Sequence, residues 1–131
     1  MFDPKPRLLV IDDDPQIRRV YARVLHRDFR IESESDGSRA LGRIAEGDYF
    51  DVILCDLDLG ESISGQDFFE SLPVALQNRT VISSATDPAE GDSFATALGD
   101  RFFMKLGSVA TLIAILLHVV HAGPALPRAA A

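Results

Sequence analysis

Polar residues that could perform phosphate chemistry stand at the ends of several short apolar runs. They are Asp12, Asp13 and Asp14 after the first run, Asp56 after another, Ser83 and Ser84 after a third, and Lys105 after a fourth. Open parallel sheets bind ligands at the carboxyl ends of their strands. If these runs are parallel strands, the polar residues converge on one edge of the sheet.

Carboxylates gathered at one edge repel one another and are costly to bury unpaired, so a cation or protons must neutralise the cluster, and a hard divalent cation is the simpler prediction. Magnesium prefers one or two carboxylates, some water and a phosphate oxygen, which suits Asp13 and Asp56, with Asp12 holding a bound water. Lys105 and a serine hydroxyl would then face the remaining oxygens of a phosphoryl group. Asp56 is the central nucleophile in this arrangement.

Five runs predict the strands that position these residues. Four lack polar alternation, which is typical of strands covered on both faces, and the fifth alternates like an edge strand. The four are Leu8 to Ile11, Val52 to Cys55, Val81 to Ile82 and Phe102 to Met104, and the edge strand is Phe29 to Ser33. Helix-like segments separate the runs, which predicts parallel βαβ units in a doubly wound α/β fold.

Turn and capping signals predict five helices. The first begins at Pro15, the second spans Ser38 to Glu46, the third lies near Gln66 to Leu72, the fourth begins at Asp87-Pro88 and ends before Gly99, and the fifth runs from Ser108 to before Gly123. The first helix is expected to bury Ile17, Val20, Val24 and Leu25 and to present Arg18, Arg19, Arg23 and Arg27 outward.

The fifth predicted helix is apolar nearly all round, which is typical of a helix covered on two sides. Leu112, Ile113, Leu116 and Val120 are expected to face the sheet, leaving Ala110, Ala114, Ile115 and Leu117 toward solvent. This surface therefore predicts a homodimer or a docked partner.

Composition narrows the possible functions. The chain of 131 residues has the length of one domain, predicted as residues 1–122 with a tail or linker at 123–131, and no fused output domain is expected. Its net charge of -7 without a basic run disfavours direct nucleic-acid binding. The longest apolar stretch is shorter than the about 18 residues of a membrane-spanning helix. The single Cys55 and the lack of an export signal indicate the cytoplasm.

Four segments together resemble the receiver domains of two-component response regulators. They are Leu9-Val10-Ile11-Asp12-Asp13-Asp14-Pro15, Asp51-Val52-Ile53-Leu54-Cys55-Asp56, Ile82-Ser83-Ser84-Ala85 and Phe102-Phe103-Met104-Lys105. The resemblance covers roughly residues 7 to 121. Each segment alone is a weak signal, but four in order at one sheet edge are specific.

The resemblance implies a flavodoxin-like fold of five βα units, with strand order 2-1-3-4-5. It implies that Asp12 and Asp13 are the acid pair for Mg²⁺, that the backbone carbonyl of Asp58 completes the metal site, and that Asp56 accepts a phosphoryl group from a histidine kinase or a histidine phosphotransfer protein. Ser84 and Lys105 match the residues that contact the phosphoryl oxygens. Ser84 and Phe102 match the switch pair, which acts through the fourth helix, fifth strand and fifth helix.

Two positions depart from the family pattern. The usual Met-Pro after the acceptor is Leu59-Gly60, in a loop that is one residue longer and is expected to have more freedom. The usual Lys-Pro with its cis bond is Lys105-Leu106, for which a trans bond is expected because a non-proline cis bond costs about 2.5 to 4 kcal/mol.

Other interpretations remain open. The acid cluster could be a solvated turn before Pro15, with Asp14 as a helix cap. Asp56-Leu57-Asp58-Leu59-Gly60 also resembles the nucleophile motif of haloacid-dehalogenase phosphatases, although the order of motifs along the chain differs. A third possibility is a binding module, either a flavodoxin-like cofactor binder or a receiver that has lost signalling.

Overall fold

A single parallel sheet lies at the centre of the computed structural model, which describes residues 5–60, 62–105 and 107–122. Its strands are β1 (Arg7–Ile11), β2 (Arg30–Glu34), β3 (Val52–Asp56), β4 (Thr80–Ser84) and β5 (Phe102–Met104). They lie in the order β2-β1-β3-β4-β5, and every neighbouring pair is parallel. The predicted flavodoxin-like α/β fold and its strand order are confirmed.

Within the described ranges, six helices connect and follow the strands. They are α1 (Pro15–Val24), α2 (Gly37–Ala45), α3 (Gly65–Glu70), α4 (Val74–Gln77), α5 (Ser93–Leu98) and α6 (Val109–Ala122), and a 3₁₀ turn spans Gly99–Arg101. The short α4 was not predicted, and α5 and α6 correspond to the predicted fourth and fifth helices. Among the helices of the described residues, none is long and apolar enough to span a membrane. The predicted tail, 123–131, and Leu106 lie outside the described residues.

The sheet has a separate apolar core on each face because side chains alternate along each strand. One core includes Val10, Leu54 and Phe103 and is covered by α1 and α6. The other includes Leu9, Ile53 and Ile82 and is covered by the helices on the opposite side. Residues just beyond the strand ends continue this alternation, which determines the face that each site residue occupies.

The buried face of α1 differs from the prediction. Val20 is 50% exposed, and Tyr21 is buried in its place. The buried stripe is centred on Tyr21, with Ile17 and Val24 half-buried beside it. Because successive helical residues are about 100° apart, Val20 falls at the margin of that stripe. Arg18 is also half-buried rather than on the outer face.

The sheet-facing side of α6 is set by Leu112, Leu116 and Val119. Leu112 and Leu116 were predicted to face the sheet, whereas Val119 was not. Ile113 and Val120, also predicted to face the sheet, and Ile115 and Leu117, predicted to face solvent, are all half-buried. Ala110 and Ala114 are exposed as expected. The solvent-exposed apolar surface of α6 is therefore smaller than the sequence pattern indicated, because Ile115 and Leu117 are half-buried.

The predicted start of the fourth helix, at Asp87-Pro88, was wrong. Residues 85–91 are non-helical and exposed, and α5 begins only at Ser93. Gly91 has a positive φ of 79°, which takes the chain out of any helix there. Asp92 then caps α5, its carboxylate accepting a hydrogen bond from Ala95 N at 3.1 Å. An exposed segment with no apolar face has little to gain from forming a helix against the sheet.

Removing this cap should weaken the fold locally. Asp92→Ala should lower the free energy of unfolding by about 1 kcal/mol in urea titrations and should speed amide hydrogen exchange at Ala95, because a six-residue helix has few other hydrogen bonds. Asp92→Asn, which retains a capping oxygen, should stay close to wild type. Asp87→Ala should be neutral, and a larger effect there than at Asp92 would contradict the assignment of the cap.

Candidate functional site

The carboxyl ends of the two central strands bring two acidic residues together. Ile11 of β1 pairs with Cys55 of β3. The next residue along each chain segment is an aspartate, so Asp12, just after β1, lies beside Asp56, the last residue of β3. Both point to the face covered by α1 and α6, and only 1% of Asp12 and 4% of Asp56 is exposed. Two carboxylates are thus buried close to each other, as the sequence predicted.

Lys105 supplies the positive charge between them. Its Nζ lies 2.8 Å from Asp56 Oδ2 and 2.9 Å from Asp12 Oδ2. The backbone places it there, since Lys105 N donates a 2.8 Å hydrogen bond to Ser84 O and continues the pairing of β5 with β4. Lys105 is therefore bound in the site and is not an ordinary lysine extending into solvent from a strand end.

The ionisation of these groups is strongly coupled. Burial raises the pKa of Asp56 above its ordinary value; hydrogen bonds from Lys105 and from the backbone N–H of Asp58 oppose the rise, and the charge of Asp12 adds to it. Burial alone would lower the pKa of Lys105, but its bonds to Asp56 and Asp12 outweigh this and raise it. The lysine therefore remains protonated at neutral pH.

A third carboxylate completes the acidic cluster. Asp12, Asp13 and Asp56 each offer an oxygen, and these oxygens all lie within 4.8 Å of one another. Asp13 is exposed, so the cluster is open to solvent on one side. Such a set of carboxylate oxygens fits a hard divalent cation that keeps some of its water. The residues present here therefore suit such an ion.

Both oxygens of Asp56 are held in place. Lys105 engages Oδ2, and Asp58 N donates a 3.2 Å hydrogen bond to Oδ1. The carboxylate of Asp58 turns along the loop and accepts a 3.1 Å hydrogen bond from Gly60 N. The metal-binding role of the Asp58 carbonyl stays a prediction.

The two serines at the end of β4 occupy different environments. Ser84 Oγ donates to Thr86 O at 2.8 Å and accepts from Thr86 N at 3.2 Å, so its hydroxyl is engaged by its own loop. Ser83 pairs in register with Asp56, is 1% exposed, and its Oγ makes no hydrogen bond of ordinary geometry. The predicted contact of Ser84 with a phosphoryl oxygen would require its hydroxyl to leave Thr86.

Phe102 lies at the start of β5 on the opposite face from Lys105. It is half-buried and packs against the core that contains Ile82 and Leu98. It also lines a groove with Ala95 and Met104. Its proposed movement with Ser84 stays a prediction.

Two residues of α1 that sequence reasoning did not assign to the site contribute to it. Arg18 Nη1 donates a 2.7 Å hydrogen bond to Asp12 O. Tyr21 is buried beneath the cluster, close enough for its hydroxyl to be influenced by Ser83, Lys105 and the acidic pair, and burial raises its pKa. The sequence signal that could have pointed to Tyr21 was its position on the buried face of α1, the helix that follows the acidic residues.

Comparisons with known proteins agree with this geometry. Residues 8–116 match the profile of the response regulator receiver domain. The transcriptional activator protein PfeR of Pseudomonas aeruginosa is 34% identical over 112 residues, which are 83% of this chain and 36% of PfeR. This chain therefore spans much less than the full length of that relative.

Solved receiver domains have the same fold. The receiver domain of Francisella response regulator 1452 is 25% identical, with a TM-score of 0.77 over 90% of this chain and 98% of that one. The activated receiver domain of Klebsiella pneumoniae RstA is 25% identical, with a TM-score of 0.73 over 86% and 97% of the two chains. A CheY-like receiver domain protein of Methanospirillum hungatei, 20% identical with a TM-score of 0.76 over 90% and 95% of the two chains, supports the fold alone.

The match to the family profile favours a signalling domain over the phosphatase alternative. The chain belongs to the response regulator receiver domain family of two-component signalling.

Proposed function

We propose that Asp56 is a phosphoryl acceptor, which takes its phosphoryl group in the cytoplasm from a phosphohistidine on a histidine kinase or a histidine phosphotransfer protein. The observation that supports this most directly is the burial of Asp56 between Lys105 and two further carboxylates. One curated relative is named a transcriptional activator, which supports an output that acts on transcription through a partner or an attached region. This domain itself need not contact DNA.

The residues around Asp56 fit its role as a nucleophile. Asp58 N and Lys105 hold the two carboxylate oxygens, so the group is oriented before a donor arrives. Asp12, Asp13 and Asp56 would hold Mg²⁺, which when bound neutralises charge on the cluster and on the incoming phosphoryl oxygens. An oxygen of Asp56 would bond to phosphorus as the bond from phosphorus to the donor histidine nitrogen breaks and the imidazole leaves. The carboxylate thereby becomes the uncharged acyl group of an acyl phosphate, and Lys105 can stay with the negative charge, which then lies on the phosphoryl oxygens.

The switch would begin at Ser84. Its hydroxyl would exchange Thr86 for a phosphoryl oxygen, and the adjoining residues 85–91, which are exposed and non-helical, can follow with little loss of packing. Phe102 would then turn inward beside the displaced loop. The surface formed by α5, β5 and α6 would thereby change in response to phosphorylation.

The donor is proposed to dock on α1. Val20 is half exposed between Arg19 and Arg23, which are also exposed, and this combination of an apolar contact with basic residues suits an amphipathic partner surface. Arg18 connects this helix to the site through Asp12 O.

Phosphorylation can be tested by intact mass after incubation with acetyl phosphate and Mg²⁺. We expect one phosphoryl group on the wild type and none on Asp56→Asn, because Asp56 is buried and its two oxygens are oriented by Lys105 and by Asp58 N. Asp67→Asn, which changes an exposed carboxylate on α3, should be labelled like the wild type. Labelling that persists in Asp56→Asn would place the acceptor elsewhere.

Lys105 should also stabilise the metal-free fold. Lys105→Met leaves two buried carboxylates without their cation and should lower the free energy of unfolding by about 3 kcal/mol, as measured by urea titration in chelator. Added Mg²⁺ should stabilise this variant more than the wild type, because the metal replaces the lost charge. Lys105→Arg, which keeps a cation, should lose less. Equal stability of Lys105→Met and wild type in chelator would contradict this assignment.

The proposed homodimer involves α6, where Val109, Ala110 and Ala114 are exposed beside a groove of about 450 Å³ that Ile115 and His118 help to line. Sedimentation velocity should show dimers that increase with acetyl phosphate and Mg²⁺. Ala114→Glu should abolish them, because it places a charge on this surface, whereas Ala22→Glu, exposed on α1, should not. A monomer at high concentration in both states would exclude the dimer.

A further inference from the structure

The loop that follows the acceptor lies unusually close to Asp13. Gly60 has a positive φ of 67°, and a Cβ atom on it would lie only 2.8 Å from Asp13 Oδ2. Contacts of that length do not occur between a Cβ and an oxygen without displacement of one of them. The missing side chain at position 60 is therefore what allows the loop and the carboxylate to occupy their present positions.

The loop cannot easily move away to make room. At its start Leu59 is 2% exposed and anchored in the core, and at its end Gly65 N donates a 2.8 Å hydrogen bond to Leu57 O. A Cβ on Gly65 would lie 2.3 Å from Asp56 O, so this end of the loop is pressed against the acceptor strand. Between them, Ser62 Oγ donates to Asp36 Oδ1 at 3.0 Å.

Asp13, by contrast, is free to move. It is exposed, whereas Leu59 and Gly65, on either side of the loop, are buried. A side chain at position 60 would therefore displace the Asp13 carboxylate, which can rotate into solvent with little effect on packing. The same rotation would move the Asp13 carboxylate away from the cluster that it forms with Asp12 and Asp56.

We infer that Gly60 is a positioning residue for the metal: by having no side chain, it leaves the Asp13 carboxylate the space in which it can ligate a divalent cation. This inference rests on the proposed metal site. The expectation that the glycine and the longer loop add freedom stays a prediction.

The test separates metal binding from folding. Gly60→Ala should weaken binding of Mg²⁺ about tenfold or more in calorimetric titration or in amide shifts around Asp56, without any phosphoryl donor present. Gly91→Ala is the matched control, because Gly91 also has a positive φ, of 79°, but a Cβ added there would meet no described atom within 4 Å. It should lose a similar amount of thermal stability and keep wild-type affinity for Mg²⁺.

Gly60→Asn adds the same Cβ with less backbone strain, since asparagine tolerates positive φ better than alanine. It should fold if Gly60→Ala does not, and should also bind Mg²⁺ weakly. Wild-type affinity in a folded Gly60→Asn or Gly60→Ala protein overturns the inference while leaving the proposed metal site intact. Failure of the wild type itself to bind Mg²⁺ overturns the metal site and this inference together.

Discussion

The buried approach of Asp12 and Asp56 is the constraint on which the site depends. Two like charges with almost no exposure are tolerated in one place only if a cation lies between them, and Lys105 Nζ, less than 3 Å from each, is that cation. The lysine can reach both because β5 lies two strands from β3 and continues its register through β4. The strand order therefore determines that the positive charge of Lys105 reaches the two buried carboxylates.

Rigid and loosely held segments alternate around this edge. The loop after Asp56 is held by Leu59 in the core, by Gly65 against the acceptor strand and by Ser62 on Asp36. The segment 85–91 after Ser84 is exposed throughout and has a helix only beyond it. One side of the site is thus suited to keeping ligands in place, and the other is suited to changing conformation.

The strands and their polar ends could be predicted because local apolar runs and the geometry of parallel sheets determine them together. Asp12, Asp13, Asp56 and Lys105 were found in this way. Tyr21 and Arg18 were not, since their contribution depends on how α1 rotates against the sheet, and the helical pattern alone allowed Val20 to be buried instead. The start of α5 was misplaced because Asp87-Pro88 and Asp92 are both plausible caps, and only the positive φ of Gly91 decides between them.

The contact between Lys105 and Asp12 has a thermodynamic consequence. In the metal-free protein Lys105 Nζ lies 2.9 Å from Asp12 Oδ2, so a divalent ion held by Asp12 and the ammonium group would compete for the same carboxylate. The intrinsic affinity of three carboxylates is reduced by the free energy of that displacement, and the apparent dissociation constant moves upward accordingly. Occupancy should then follow the free concentration of the ion in the cell instead of being saturated at all times. Each binding event would separate the ammonium group from Asp12 while its contact with Asp56 can remain.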